Sequence, residues 1–417
     1  MSTSQEPWRL PATEALALIR QGSLTIEGYA RSLLSRIHER DAKVKAWVYL
    51  NDEQILKQAR ELDAVPRNQR SPIHGLPVGI KDVILTKDMP TQHNSRIYQD
   101  SQPGIDAAPV TTLRANGALI FGKLSTTEFA TSKQGNWHQN LTSNAHDPGR
   151  TPGGSSSGSG AAVGDFHIPI ALGTQTGGST VRPASFNGCY GFKPTWGAIS
   201  REGLAQWSMT LDTCGFFARS IEDLDLMADV FRLEDDEPVR ERAFELKGAR
   251  VAFCKTYNWP KAGEGTKKAW ERAKEILTRG GAEVEELDLP NDYARVLDWH
   301  ADVLSGEGMS SFLGQYSAAK DLLHDDMQAH VENRRNVSRK QQLAAYDNCA
   351  RLRPVWDEIA AKYDVVITPS VVDEAPLGLE NTGDMVSCSL PKDHVYPSLT
   401  IILSRSAQCG PCCTSRP

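Results

Sequence analysis

The sequence predicts a single large α/β domain: a mixed, mostly parallel sheet covered by helices on both faces, with a helical segment at the N-terminus. Three observations predict it. Short apolar runs bounded by Gly and Pro alternate with helix-length periodic segments, as in parallel strands joined by crossover helices. Several of these runs are apolar throughout, as strands buried on both faces are. The chain has 417 residues, 40% of them hydrophobic, which is enough for a large core.

Residues 12 to 64 read as helices. ATEALALIRQG and the run from Ile26 to Arg40 repeat apolar residues at three- and four-residue spacing, with Gly22 and Ser23 between them. From Ser71 the texture changes, and GLPVGIKDVI, GALIFGKL and IPIALGTQT read as buried strands. The stretch from Thr151 to Gly197 is rich in Gly and Ser, a linker composition. The apolar IPIALG and CYGFKP inside it argue against a linker, because linkers lack buried strands. In the second half ARVAFC and AEVEELDLP read as strands. Thr266 to Arg279 reads as a helix closed by Gly280 and Gly281. Helices follow from about Asp292 to Lys362, and YDVVITPS is a strand ending at Pro369. The expected layout is one domain over residues 1–380, with N-terminal helices at about 10–65 and a catalytic core at about 71–225. Residues 381–417 read as an atypical, truncated tail in which SLTIIL adds one strand.

Charge and targeting patterns exclude several function classes. Lys+Arg 46 against Asp+Glu 52 gives a net charge of −6, which argues against a nucleic-acid partner. The opening MSTSQEPWRLPATEALALIRQG has no basic segment followed by an apolar run, so no secretory signal is expected. No run reaches the roughly 18 apolar residues of a membrane span. A cytoplasmic location follows as the expectation, and with it eight free thiols. Cys189, Cys214, Cys254 and Cys349 are scattered singly, while Cys409, Cys412 and Cys413 cluster without a second ligand pair, so no metal site is expected. The phosphate-loop pattern GxxxxGK[ST] is absent from the Gly-rich stretch, which weighs against a phosphate-binding module. No cofactor is expected.

Three features carry chemistry: Lys81 in GIKD, Ser155 in TPGGSSSGSG and Ser179 in GTQTGGSTVRP. Each is ordinary alone. A lysine after an apolar run usually lies on the surface, and GGSSSGSG is usually a turn or linker. Their joint order is what matters. A serine hydroxyl needs a base, and none of the ten histidines lies in these motifs. Lysine serves as base in Ser-Lys variants of the catalytic triad. At a reference pKa of about 10.4 only roughly one lysine in 2,500 is neutral at pH 7; a shift of about three units, worth about 4 kcal/mol, makes about a quarter neutral. Burial supplies shifts of that size. Asp82 opposes this unless strand alternation turns it to the other face. Thr176, Gly177, Gly178 and Ser179 offer consecutive backbone N–H groups that suit an oxyanion hole.

These residues sit in stretches that resemble the amidase-signature family. They are HGLPVGIKDVILTKDMPT, DAAPVTTLRANGALIFGKLSTTEFA and GGSSSGSGAAVGDFHIPIALGTQTGGSTVRPASFNGCYGFKPTWG, followed by LDTCGFFARSIEDL and YDVVITPS. The resemblance covers residues 10 to 375 and is densest over 74 to 222. It implies an amide hydrolase with Lys81 as general base, Ser155 as bridging serine behind a cis peptide, and Ser179 as nucleophile. It implies a small-molecule amide substrate hydrolysed to a carboxylate plus ammonia or an amine, and it admits a homodimer. Two positions depart from the family pattern. Gln175 stands where many members have Asp. Val181 stands where many have Arg, and Arg182 follows it. That placement resembles malonamidase-related members, in which the Arg helps to hold a substrate carboxylate. The other reading of Arg182 is a structural contact with a buried carboxylate or backbone. An inactive relative lacking its C-terminal pocket wall is the alternative to an enzyme.

Overall fold

The computed structural model describes residues 6–131, 141–233, 245–383 and 399–403. In chain order the first half forms α1 (Ala12–Gln21), α2 (Ile26–Val44), β1 (Trp47–Leu50), α3 (Asp52–Asp63), β2 (Pro77–Lys81), α4 (Ala108–Ala115), β3 (Leu119–Leu124), α5 (Ser157–Gly164), β4 (Ile170–Gln175), α6 (Val181–Phe186), β5 (Tyr190–Phe192), β6 (Thr213–Ala218) and α7 (Ile221–Val230). The second half adds β7 (Arg250–Cys254), α8 (Glu264–Arg279), β8 (Glu283–Leu287), α9 (Val296–Ser311), α10 (Leu313–Ala319), α11 (Asp325–Val331), α12 (Arg339–Ala360), β9 (Val365–Pro369) and β10 (Leu399–Leu403).

The strands divide between two hydrogen-bonded sheets. One has the order β1-β3-β2-β4-β6-β5, and the other β10-β9-β7-β8. The centre of the first, β3-β2-β4, is parallel, with β1, β6 and β5 added antiparallel at its flanks. In the second, β9-β7-β8 is parallel and β10 pairs antiparallel with β9. This is a mixed α/β domain with parallel pairing at the heart of each sheet.

Side-chain alternation explains why helices cover both faces. On β3, Leu119 and Phe121 join a cluster with α2, α3 and α5, while Ile120 joins the opposite cluster with α4 and α7. On β4, Ala171 faces the first cluster and Ile170 and Leu172 the second. The second sheet repeats the arrangement. Val251 and Phe253 pack on Trp270 of α8, and Ala252 and Cys254 pack toward α9 and α12. That last cluster also takes in Phe129, Trp207 and Leu211 from the first half, so segments outside the first sheet's strands pack into the core beside the second sheet.

Residues 12 to 64 are not wholly helical as the spacing predicted. Trp47–Leu50 breaks out as β1, pairing with β3. WVYL is aromatic and β-branched, which favours a strand, and Lys45 at φ 56 turns the chain out of α2. The Gly/Ser-rich stretch is structured rather than a linker. α5 reads SGSGAAVG and is buried from Ser157 to Val163. A side chain at Gly158 would collide with Ala46 O and Ser125 N, so glycine there permits close backbone approach. The helix at Thr266 to Arg279 forms as α8, ending at Gly280, with Gly281 at φ 88.

Cys189, Cys214, Cys254 and Cys349 are free and buried. Cys409, Cys412 and Cys413 lie outside the described residues, as does most of the 381–417 segment. SLTIIL does contribute a strand, β10. Among the described residues no helix is long and apolar enough to cross a membrane.

Candidate active site

Parallel strands β2 and β4 are neighbours, so their C-terminal ends meet at one edge of the sheet, where open α/β sheets place ligands. Lys81 closes β2 and Gln175 closes β4. Ser179 lies in the turn from β4 to α6, and Ser155 lies just before α5. The fold therefore brings together all three sequence-predicted residues from distant parts of the chain.

Lys81 is 0% exposed. Its Nζ lies 2.8 Å from Ser155 Oγ and 2.7 Å from Thr174 Oγ1. Both partners are neutral hydroxyls. Burial drives the Lys81 pKa well below the ordinary lysine value, against a smaller upward pull from Asp212 and Cys214. Asp82 does not compete for this amine. Its carboxylate pairs with Lys123 Nζ at 3.2 Å, and both side chains are buried. Lys123 also donates to Ile84 O at 2.9 Å and to Thr91 Oγ1 at 2.5 Å.

The Gly154–Ser155 peptide is cis. It is gripped from outside by Arg182, which is 1% exposed. Arg182 Nη2 donates to Gly154 O at 2.5 Å and to Thr382 Oγ1 at 3.3 Å. A side chain at Gly154 would collide with Thr382. The structure thus places Arg182 against the backbone that carries Ser155.

Ser179 is tied to this unit through the main chain, Ser156 N donating to Ser179 O at 3.3 Å. Among the described residues no hydrogen bond joins the Ser155 and Ser179 hydroxyls; such bonds often form only when substrate arrives. The loop Thr176-Gly177-Gly178-Ser179 is braced at both ends. Gln175 Oε1 accepts from Thr180 N at 2.8 Å and Val181 N at 3.1 Å, so a neutral acceptor takes the place expected of an aspartate at the start of α6. Thr176 Oγ1 donates to Asp212 Oδ1 at 2.5 Å, and Asp212 also accepts from Trp207 N at 2.8 Å and Ser208 N at 3.0 Å. Burial pushes the Asp212 carboxyl up to about 6. A Cβ placed on Gly177 would meet nothing nearer than His300 Cε1, at 4.0 Å, an ordinary contact distance, so the imidazole of His300 stands beside the loop there.

Sequence reasoning missed Thr174, Asp212, Lys123 and His300. Thr174 was findable, because strand alternation puts it on the same face as Thr176. Asp212 sat in the recognised LDTCGFFARS stretch without a role. Lys123 and His300 are brought here only by tertiary packing.

The family profile described as Amidase matches residues 29–403. The chain belongs to the amidase family. That match runs through β10, beyond the last motif legible in the sequence. The chain is 31% identical over 410 residues to a glutamyl-tRNA(Gln) amidotransferase subunit from Lysinibacillus sphaericus, covering 89% of this chain and 84% of that one. Among solved structures, a crystal structure of an amidase superposes with TM-score 0.80 at 27% identity, covering 90% of this chain and 86% of the other. Native peptide amidase from Stenotrophomonas maltophilia does so with TM-score 0.74 at 25% identity, covering 91% and 88%. This amidase-family chain is an enzyme of the class that acts on carbon–nitrogen amide bonds.

Proposed function

We propose that this amidase hydrolyses a small carboxylic amide through an acyl-enzyme on Ser179, with Lys81 and Ser155 relaying the proton. The observation that carries the reading is a buried lysine amine 2.8 Å from Ser155 Oγ with no carboxylate bonded to it among the described residues. In this mechanism neutral Lys81 takes the Ser155 hydroxyl proton as Ser155 takes that of Ser179. Ser179 Oγ bonds to the amide carbon, and the backbone N–H groups from Thr176 to Ser179 hold the oxyanion. The C–N bond then breaks, and Ser155 returns a proton to the leaving nitrogen. Water, deprotonated by the same relay, cleaves the ester to release the carboxylate and restore Ser179. The enzyme acts in the cytoplasm, as a single chain or a homodimer.

A fluorophosphonate probe tests this directly. It labels Ser179 in the folded protein and fails to label Ser179→Ala; absence of labelling in folded protein would point instead to an inactive relative. A second reading comes from the name shared by several relatives of about 30% identity, each a subunit of glutamyl-tRNA(Gln) amidotransferase. On that reading the chain is the amide-cleaving component of an assembly. Amide hydrolysis by the isolated chain favours the first reading, and activity only with a co-purifying partner favours the second.

A further inference from the structure

A cavity of about 680 Å3 opens past the C-terminal end of β2, lined by Leu85, His93, Tyr98, Phe129 and Phe312 among others. Sites that enclose small organic ligands span about 300–1,000 Å3. Its walls are fastened to the site by backbone hydrogen bonds. His93 N donates at 3.0 Å to the carbonyl of Asp82, the residue after Lys81. Phe129 N donates to His93 O at 2.9 Å, and Thr127 N, two residues earlier, donates to Ser155 O at 3.3 Å. On the other side, Leu85 N donates to Gly203 O at 3.0 Å and Ala205 N to Val83 O at 2.9 Å. Leu204, Ala205 and Gln206 line both this cavity and a water-sized void bounded by Thr174, Thr176 and Asp212. The cavity therefore shares a wall with Thr174, the hydroxyl partner of Lys81, and with Thr176 of the glycine loop.

The lining is aromatic. His93 stacks on Phe129 with centroids 5.5 Å apart, Tyr98 stands edge-on to His93 at 4.9 Å, and Phe312 lies 5.9 Å from Phe129. His93 and Phe129 hold φ values of 55° and 46°, left-handed conformations that non-glycine residues rarely adopt. Such outliers persist where surrounding contacts enforce them, and they gather at ligand sites. Among the described residues the polar lining is uncharged: Gln206, Ser310, Ser311 and Gln315, whose Nε2 donates to Tyr98 OH at 3.3 Å. Burial and the nearby Lys123 push His93 down to about 3, so its ring is neutral at pH 7. A carboxylate entering here would lose hydration without gaining a counter-ion from this lining, and Arg201, on the adjoining void, already donates to Met209 O at 2.8 Å. A flat ring would gain offset and edge-to-face contacts.

We infer that the cavity receives an uncharged amide bearing an aromatic ring, the ring seated among Tyr98, Phe129 and Phe312 and the amide carbon at Ser179 Oγ. The inference rests on the acyl-enzyme reading proposed above. Water is the only co-reactant, and the products are the carboxylate and the freed ammonia or amine.

The test measures kcat/KM for benzamide, phenylacetamide and acetanilide against acetamide and succinamate, by ammonia or aniline release, with Ser179→Ala as the blank. The best aromatic amide exceeds acetamide by at least about tenfold, the scale on which a filled apolar pocket discriminates, and succinamate is the poorest. Phe312→Ala lowers the ratio of aromatic amide to acetamide at least about fivefold. Ser179-dependent acetamide hydrolysis without an aromatic preference, or with succinamate preferred, overturns the inference and leaves the acyl-enzyme reading standing. No hydrolysis of any amide by folded protein overturns both. Should Phe312→Ala fail to fold, the wild-type panel still decides.

Discussion

Replacing Arg182 by Met separates two roles for this side chain. Its guanidinium donates to Gly154 O at 2.5 Å and to Thr382 Oγ1 at 3.3 Å, and it is 1% exposed. Met keeps much of the volume and removes the charge and the donors. A hydrogen bond from a charged group contributes about 1.5–3 kcal/mol, and an abandoned buried carbonyl costs a similar amount. If only about 1.5–3 kcal/mol of that appears as lost positioning of Ser155, the rate falls by about 10- to 150-fold, at 1.36 kcal/mol per factor of ten. The loss falls on kcat, because the contact is to the backbone of the proposed proton relay and not to a substrate group. Steady-state kinetics on one neutral and one carboxylate-bearing amide is the assay, with circular dichroism to confirm folding. The expected result is a matching fall in kcat for both substrates with KM little changed. A KM increase confined to the acidic amide, with the neutral amide unaffected, would falsify this reasoning and return Arg182 to the role of substrate anchor.

Two further outcomes follow from the buried charges. A base must be deprotonated to act, so activity is lost as pH falls through the native pKa of Lys81 and is present above it. Burial lowers that pKa, so the acidic limb of kcat/KM inflects well below the ordinary lysine value of 10.5; an inflection at that value would remove Lys81 from the base role. Asp212, pushed up to about 6, also titrates below that value, and Asp212→Asn is the control that assigns any inflection near 6. Lys123→Met leaves Asp82 buried without its cation and lowers unfolding stability by about 3–5 kcal/mol, while Lys123→Met with Asp82→Asn recovers much of the loss. Urea denaturation measures this, and a single variant within about 1 kcal/mol of wild type would show that the pair contributes little.

Local sequence carries far into both fold and site. The periodicity of ATEALALIRQG, the unbroken apolar runs of β2, β3 and β4, and the glycine pair ending α8 are all short-range signals. β1 is not legible in the same way, because four residues between two strong helices form a strand only by pairing with β3, a partner more than seventy residues away. Motif order singles out Lys81, Ser155 and Ser179, and their residue types name the chemistry.

What the amino-acid order determined by itself was the family and the list of candidate reactive groups, because those reside in contiguous motifs. Only the tertiary structure decided how each group behaves. It buried Lys81 against Ser155 and Thr174, turned Asp82 to Lys123, and set Arg182 on the Gly154 carbonyl. Protonation and positioning depend on desolvation and on partners that lie tens to hundreds of residues away, and no short-range pattern encodes them.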